Sequence, residues 1–138
     1  MFGYASNPLA SYKKIETDVS VETASPHRLI VMLFDGALSA ISLARTNMEK
    51  GHTEAKGLAI SRAIDIIANG LKVSLDFEAG GDLAQNLSAL YDYMTRRLVH
   101  ANLKNQIAAL DEVAALLSDI RSAWVEIGDQ APTEPPPA

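Results

Sequence analysis

Cysteine is absent from this chain. That rules out disulfides and thiolate nucleophiles and permits a reducing compartment. Basic charge is scarce: 12 Lys and Arg stand against 17 Asp and Glu, a formal net charge of −5. No basic field therefore advertises nucleic acid or an anionic membrane as a partner. Arg96 and Arg97 are the only adjacent arginines. No apolar run approaches the ~20 residues of a membrane span. Met1 to Ser11 lack the charged n-region and long apolar h-region of a secretory signal. A cytoplasmic protein without membrane insertion is expected.

Catalytic motifs are lacking as well. No serine sits in a Gly-x-Ser-x-Gly elbow, and Gly80-Gly81 is too short for a phosphate loop. A di-iron bundle needs Glu-x-x-His on two helices. Glu49-Lys50-Gly51-His52 supplies that spacing once, across a glycine that should end a helix. Asp65, Asp76 and Glu78 read as a solvated helix face and a turn rather than an acid–base group. No catalytic residue, cofactor or metal is expected, and the chain reads as non-enzymatic.

What is present is helical periodicity. Ser25-Pro26 combines an N-cap with a first-turn proline. The first helix then runs to about Lys50 with Gly51 as its stop, its stripe being Ile30, Phe34, Ala37, Ile41, Ala44 and Met48. Gly36 inside it costs up to ~1 kcal/mol relative to alanine. That cost makes sense where another backbone comes close, either a bundle helix or a partner. Thr53 can cap a second helix extending to about Leu75, with Ile60, Ile64, Ile67 and Leu71 on its main stripe. Ala59, Ile66 and Val73 repeat every seven residues on its flank, with Gly70 between them.

Glu78 to Gly81 reads as a turn, and Asp82 with Gln85 resembles a capping box. A third helix follows to about Leu103, carrying Leu83, Leu87, Leu90, Met94, Leu98 and Ala101 in phase. Tyr91 and Tyr93 diverge by ~200° and flank that stripe. Asn105 can cap a fourth helix, which Gly128 would end. Short connections make neighbouring helices antiparallel. The expected fold is all-α: an antiparallel up-down four-helix bundle over residues 25–128. A segment at 1–24 would hold a short amphipathic helix (Leu9, Tyr12, Ile15). A proline-rich tail at 129–138 should be disordered.

The fourth helix carries two apolar stripes. One is Ile107, Leu110, Ala114, Leu117 and Trp124; the other is Ala109, Val113, Leu116, Ile120, Ala123 and Ile127. One faces the core. The other either widens that face, as bundle helices commonly do, or forms a groove for an amphipathic helix. Periodicity alone stops at a helical interaction module.

Sequence motifs go further. Thr23-Ala24-Ser25-Pro26-His27-Arg28-Leu29-Ile30 precedes Met32-Leu33-Phe34-Asp35-Gly36-Ala37. Ala63-Ile64-Asp65-Ile66-Ile67-Ala68-Asn69-Gly70-Leu71 follows, then Gly80-Gly81, then Asn86-Leu87-Ser88-Ala89-Leu90-Tyr91-Asp92-Tyr93-Met94, then Ala101-Asn102. In this order, across about residues 9–127, the chain resembles the FliS-type flagellar secretion chaperones. Trp124 falls where that family has a late tryptophan, and Phe34 stands where a tyrosine is common. The resemblance implies a cytosolic, four-helix chaperone that binds the C-terminal segment of flagellin. Such a chaperone prevents premature polymerisation and assists delivery to a flagellar type III export-gate protein. It also implies an N-terminal segment able to cover the client's site, with Leu9 and Tyr12 as its apolar pair, either as a displaceable lid or as a fixed cap. The partner surface expected from helical phase joins Val113, Leu116 and Ile120 of the fourth helix to Ile66, Gly70 and Val73 of the second and Tyr93 of the third. The alternative is a helical adaptor for another flagellar export or regulatory protein.

Overall fold

The computed structural model describes residues 24–130. Leu9, Tyr12 and the proline-rich tail beyond Gln130 lie outside the described residues. Helix α1 spans Pro26–Glu49, α2 spans Thr53–Ile66, α3 spans Phe77–Lys104 and α4 spans Ile107–Gln130. Among the described residues there is no strand.

Local chemistry sets most boundaries. Ser25 accepts a hydrogen bond from the Arg28 amide at 3.1 Å, and Pro26 opens α1. Gly51, at φ 76°, turns the chain after α1 in a conformation that a Cβ would resist. Thr53 does not cap α2 but is its first residue. Beyond Ile66 the second helix widens into a π-turn at Ile67–Leu71 and tightens into a 3-10 turn at Lys72–Ser74. The cap of α3 is Asp76, whose carboxylate accepts from the Ala79 amide at 3.0 Å, rather than Asp82. The expected turn at Glu78–Gly81 is thus a first turn of helix that breaks at Gly81 (φ 52°, ψ −126°). Asn105, in the left-handed region, ends α3 instead of starting α4. Nor does Gly128 stop α4, which continues to Gln130.

Cross-helix bonds fix the antiparallel register. His27 and Trp124, then Asp35 and Arg121, then Arg45 and Asp111 pair α1 with α4. Lys72–Asp92 pairs the end of α2 with α3, and Arg97–Glu112 pairs α3 with α4. Helix α1 packs between α2 and α4, and α3 closes the ring between the same two. Helices α2 and α4 therefore sit on a diagonal.

The core is Phe34, Ile41, Ile60, Ile67, Met94, Leu98, Leu110 and Leu117 with alanines between them, each at most 4 % exposed. No backbone crowds Gly36: the nearest atom to an added Cβ would be the Ile66 Cδ1 at 3.4 Å, an ordinary contact. By length and composition alone α1 could cross a membrane, contrary to the sequence expectation. Its residues Leu33, Phe34, Ala37, Ala40, Ile41 and Ala44 are instead buried in the core of the bundle. Among the described residues Lys56 is the one buried charge: its ammonium donates to the Asn102 carbonyl at 3.0 Å and to Asn105 Oδ1 at 2.7 Å. It thus satisfies the Asn102 carbonyl, in the last turn of α3, where the helix supplies no further amide partners.

Candidate functional site

The second stripe of α4 is one stripe in angle and three environments in height. Ala109 and Val113 are fully buried, Leu116 and Ile120 are half-buried against the core, and Ile127 is 51 % exposed. Helix α3, running the opposite way, surfaces toward the same end. Met94 is fully buried, Leu90 and Leu87 are half-buried, and Leu83 is 64 % exposed. An apolar seam between α3 and α4 therefore opens toward the end of the bundle at which α1 begins. The straight wall of α3 stops at Gly81, where the helical backbone is broken. Leu83 has the phase of a core residue, but the bundle no longer covers it.

The seam is closed in mid-bundle by a polar bridge. The Tyr93 hydroxyl donates to Glu112 Oε2, and Arg97 Nε donates to Glu112 Oε1 at 2.8 Å. The bond to Glu112, with burial and the carboxylate's charge behind it, raises the Tyr93 phenol above its ordinary value. The same bond, followed by that from Arg97, holds the Glu112 carboxyl below the usual range. A neutral phenol, an anion and a cation thus form one satisfied unit. Because Tyr93 sits opposite Glu112, the antiparallel register places Leu90 near Leu116 and Leu83 near Ala123.

The structure divides the expected partner surface. Tyr93, Leu116 and Ile120 come together on the α3–α4 seam. Ile66 is 1 % and Val113 0 % exposed, and Gly70 is buried in the π-turn, so these three are structural rather than accessible. Val73 is 59 % exposed but lies in the 3-10 turn that continues α2, across the diagonal from α4. The cause is the π-turn. One added residue rotates everything after it by about 100°. Val73 thereby leaves the flank that Ala59 and Ile66 share. Leu83, which helical phase sets on the main stripe of α3, and Ile127, on the second stripe of α4, are both exposed at the open end of the seam. The isolated Glu-x-x-His is otherwise engaged: Glu49 pairs with Arg45 at 2.7 Å, and His52 lies 3.3 Å from Asn47 Oδ1.

The model of the family "Flagellar protein FliS" matches residues 8–131. The chain is 52 % identical over 128 residues to the flagellar secretion chaperone FliS of Salmonella typhimurium, covering 93 % of this chain and 95 % of that protein. It is 47 % identical over 123 residues to the Escherichia coli protein of the same name (89 % and 90 % covered) and 36 % identical over 118 residues to that of Bacillus subtilis (86 % and 84 %).

Proposed function

The chain belongs to the FliS family of flagellar secretion chaperones, and from that footing we propose that its α3–α4 seam receives the C-terminal segment of flagellin as an amphipathic helix. The observation that carries this reading is the graded exposure of one apolar stripe, from Val113 in the core to Ile127 at the surface. A surface of this shape suits a helix laid in a groove. Covering roughly 300 Å² of apolar surface contributes about 7 kcal/mol gross. Ordering a flexible client takes back about 2–5 kcal/mol. The balance allows a client to be held firmly and still be released.

In this reading the chaperone hides the sticky face of unassembled flagellin, prevents premature polymerisation in the cytosol and assists delivery to the type III export gate. It needs no cofactor and breaks no bond. The segment bearing Leu9 and Tyr12 joins α1 at the open end of the seam, and we assign it the role of a cover exchanged for client. The test is a polymerisation assay: an equimolar amount of this protein should block seeded assembly of its organism's flagellin. Unhindered assembly would refute the reading.

A further inference from the structure

The open half of the seam is rimmed by charge of one sign. Asp82 of α3 and Asp119 and Glu126 of α4 are exposed, and none of them enters an ion pair among the described residues. Helical phase turns all three away from the core on the outer side of the α3–α4 contact. The Tyr93–Glu112 register sets Asp82 opposite Ala123, between Asp119 and Glu126. Cations of the same two helices are placed elsewhere. Arg97 is bound to Glu112 and Arg121 to Asp35 on the α1 side, while Arg96 lies beyond Tyr93 at the closed end.

An apolar floor with carboxylates on both banks accepts one kind of amphipathic helix and rejects another. We infer that the client helix carries lysine or arginine beside its apolar stripe, and that Asp82, Asp119 and Glu126 select it. This rests on the chaperone reading and adds the chemistry of the partner to it. Burial of the stripe supplies most of the affinity. The carboxylates speed encounter and penalise an acidic or phosphate-rich competitor, whose charge would be held against theirs.

The test uses the full chain and a peptide covering roughly the last forty residues of its organism's flagellin. The variant replaces all three carboxylates by amides (Asp82→Asn, Asp119→Asn, Glu126→Gln). Asparagine keeps any capping by residue 82, and thermal melts check that the bundle is intact. At about 0.1 M salt the variant should bind on the order of tenfold more weakly, chiefly through a slower on-rate. At about 1 M salt, where the screening length is ~3 Å, the difference should vanish. Amide replacement of the exposed carboxylates Glu49 and Glu54, at the opposite end of the bundle, should change neither. Equal binding by variant and wild type at low salt would overturn the inference while leaving the chaperone reading in place. Failure of the wild type to bind the peptide at any salt would remove both.

Discussion

The imidazole of His27 lies nearly flat on the indole of Trp124, with centroids 4.9 Å apart and planes 13° from parallel. Each residue also bonds the other's backbone. His27 Nε2 donates to the Trp124 carbonyl at 2.7 Å, and Trp124 Nε1 donates to the His27 carbonyl at 3.2 Å. This reciprocal clasp ties the start of α1 to the end of α4. Gly128 permits it, because a Cβ there would sit 2.1 Å from the His27 ring.

Gly128→Ala should therefore open the clasp by swinging the His27 ring away. The bond from the His27 ring to the Trp124 carbonyl, about 1 kcal/mol, and the ring stacking are lost, while the Trp124 Nε1 bond to the His27 backbone carbonyl is not made by the ring and stays. Alanine in place of a helical glycine returns about 1 kcal/mol. The expected outcome is a melting temperature lowered by only a few degrees with a clear shift in emission from Trp124, the one tryptophan in the chain. An unchanged emission spectrum would show that the ring contact survives.

Val113→Asp and Ile127→Asp occupy one stripe and should behave oppositely. The first buries an unpaired charge in a fully closed core and should cost several kcal/mol or prevent folding. The second lies at 51 % exposure and should leave the melting curve within about 0.5 kcal/mol of wild type while weakening client binding. Ile120, half-buried against the core, should show both effects in part. Circular dichroism and peptide titration of the three variants separate core from seam.

That contrast marks how far the sequence could be read. Helical period reports the angle of a residue and says nothing of its height in the bundle. The two stripes of α4 are the flanks of one buried face low in the bundle, at Ala109, Leu110, Val113 and Leu117, and only the second emerges at the top. Capping signals were legible where the chemistry is local, as at Ser25-Pro26 and Gly51. They misled where a residue serves a distant partner: Gly128 is a glycine because of His27, and Asn105 ends α3 while its side chain holds Lys56. The π-turn in α2 leaves no mark in the periodicity, so Val73 could not be placed by counting sevens.

Lys56 is nearly sealed, at 4 % exposed, with two oxygen acceptors. Lys56→Met keeps much of the volume but leaves the Asn102 carbonyl and the Asn105 amide oxygen without this donor. A loss of about 2–3 kcal/mol is expected in chemical denaturation. A neutral result would mean that water replaces the ammonium freely.

Burial pushes the Tyr91 phenol up from 10.0 to about 12. Its folded form holds the proton more tightly than the unfolded chain does. The associated stability, about 3 kcal/mol, is complete below pH 10 and lost as pH rises from about 10 to about 12. Tyr91→Phe should flatten that alkaline decline, leaving the part due to Tyr93, which is raised as well. The depressed Glu112 carboxyl acts at the other end: its contribution is full above the ordinary glutamate range and is lost as pH falls through its lowered value. Denaturant midpoints measured across pH, with Glu112→Gln beside wild type, should show the acid-side loss shrink in the variant.

The central claim is that the α3–α4 seam is the client's seat. Its most direct measurement is calorimetric titration of the full chain with the flagellin C-terminal peptide, circular dichroism alongside, on wild type and on the double variant Leu83→Asp/Ile127→Asp. Saturable one-to-one binding with a gain of helicity, lost in a double variant that melts like wild type, is the predicted result. Undiminished binding by the folded double variant would place the client elsewhere on the bundle and contradict the account.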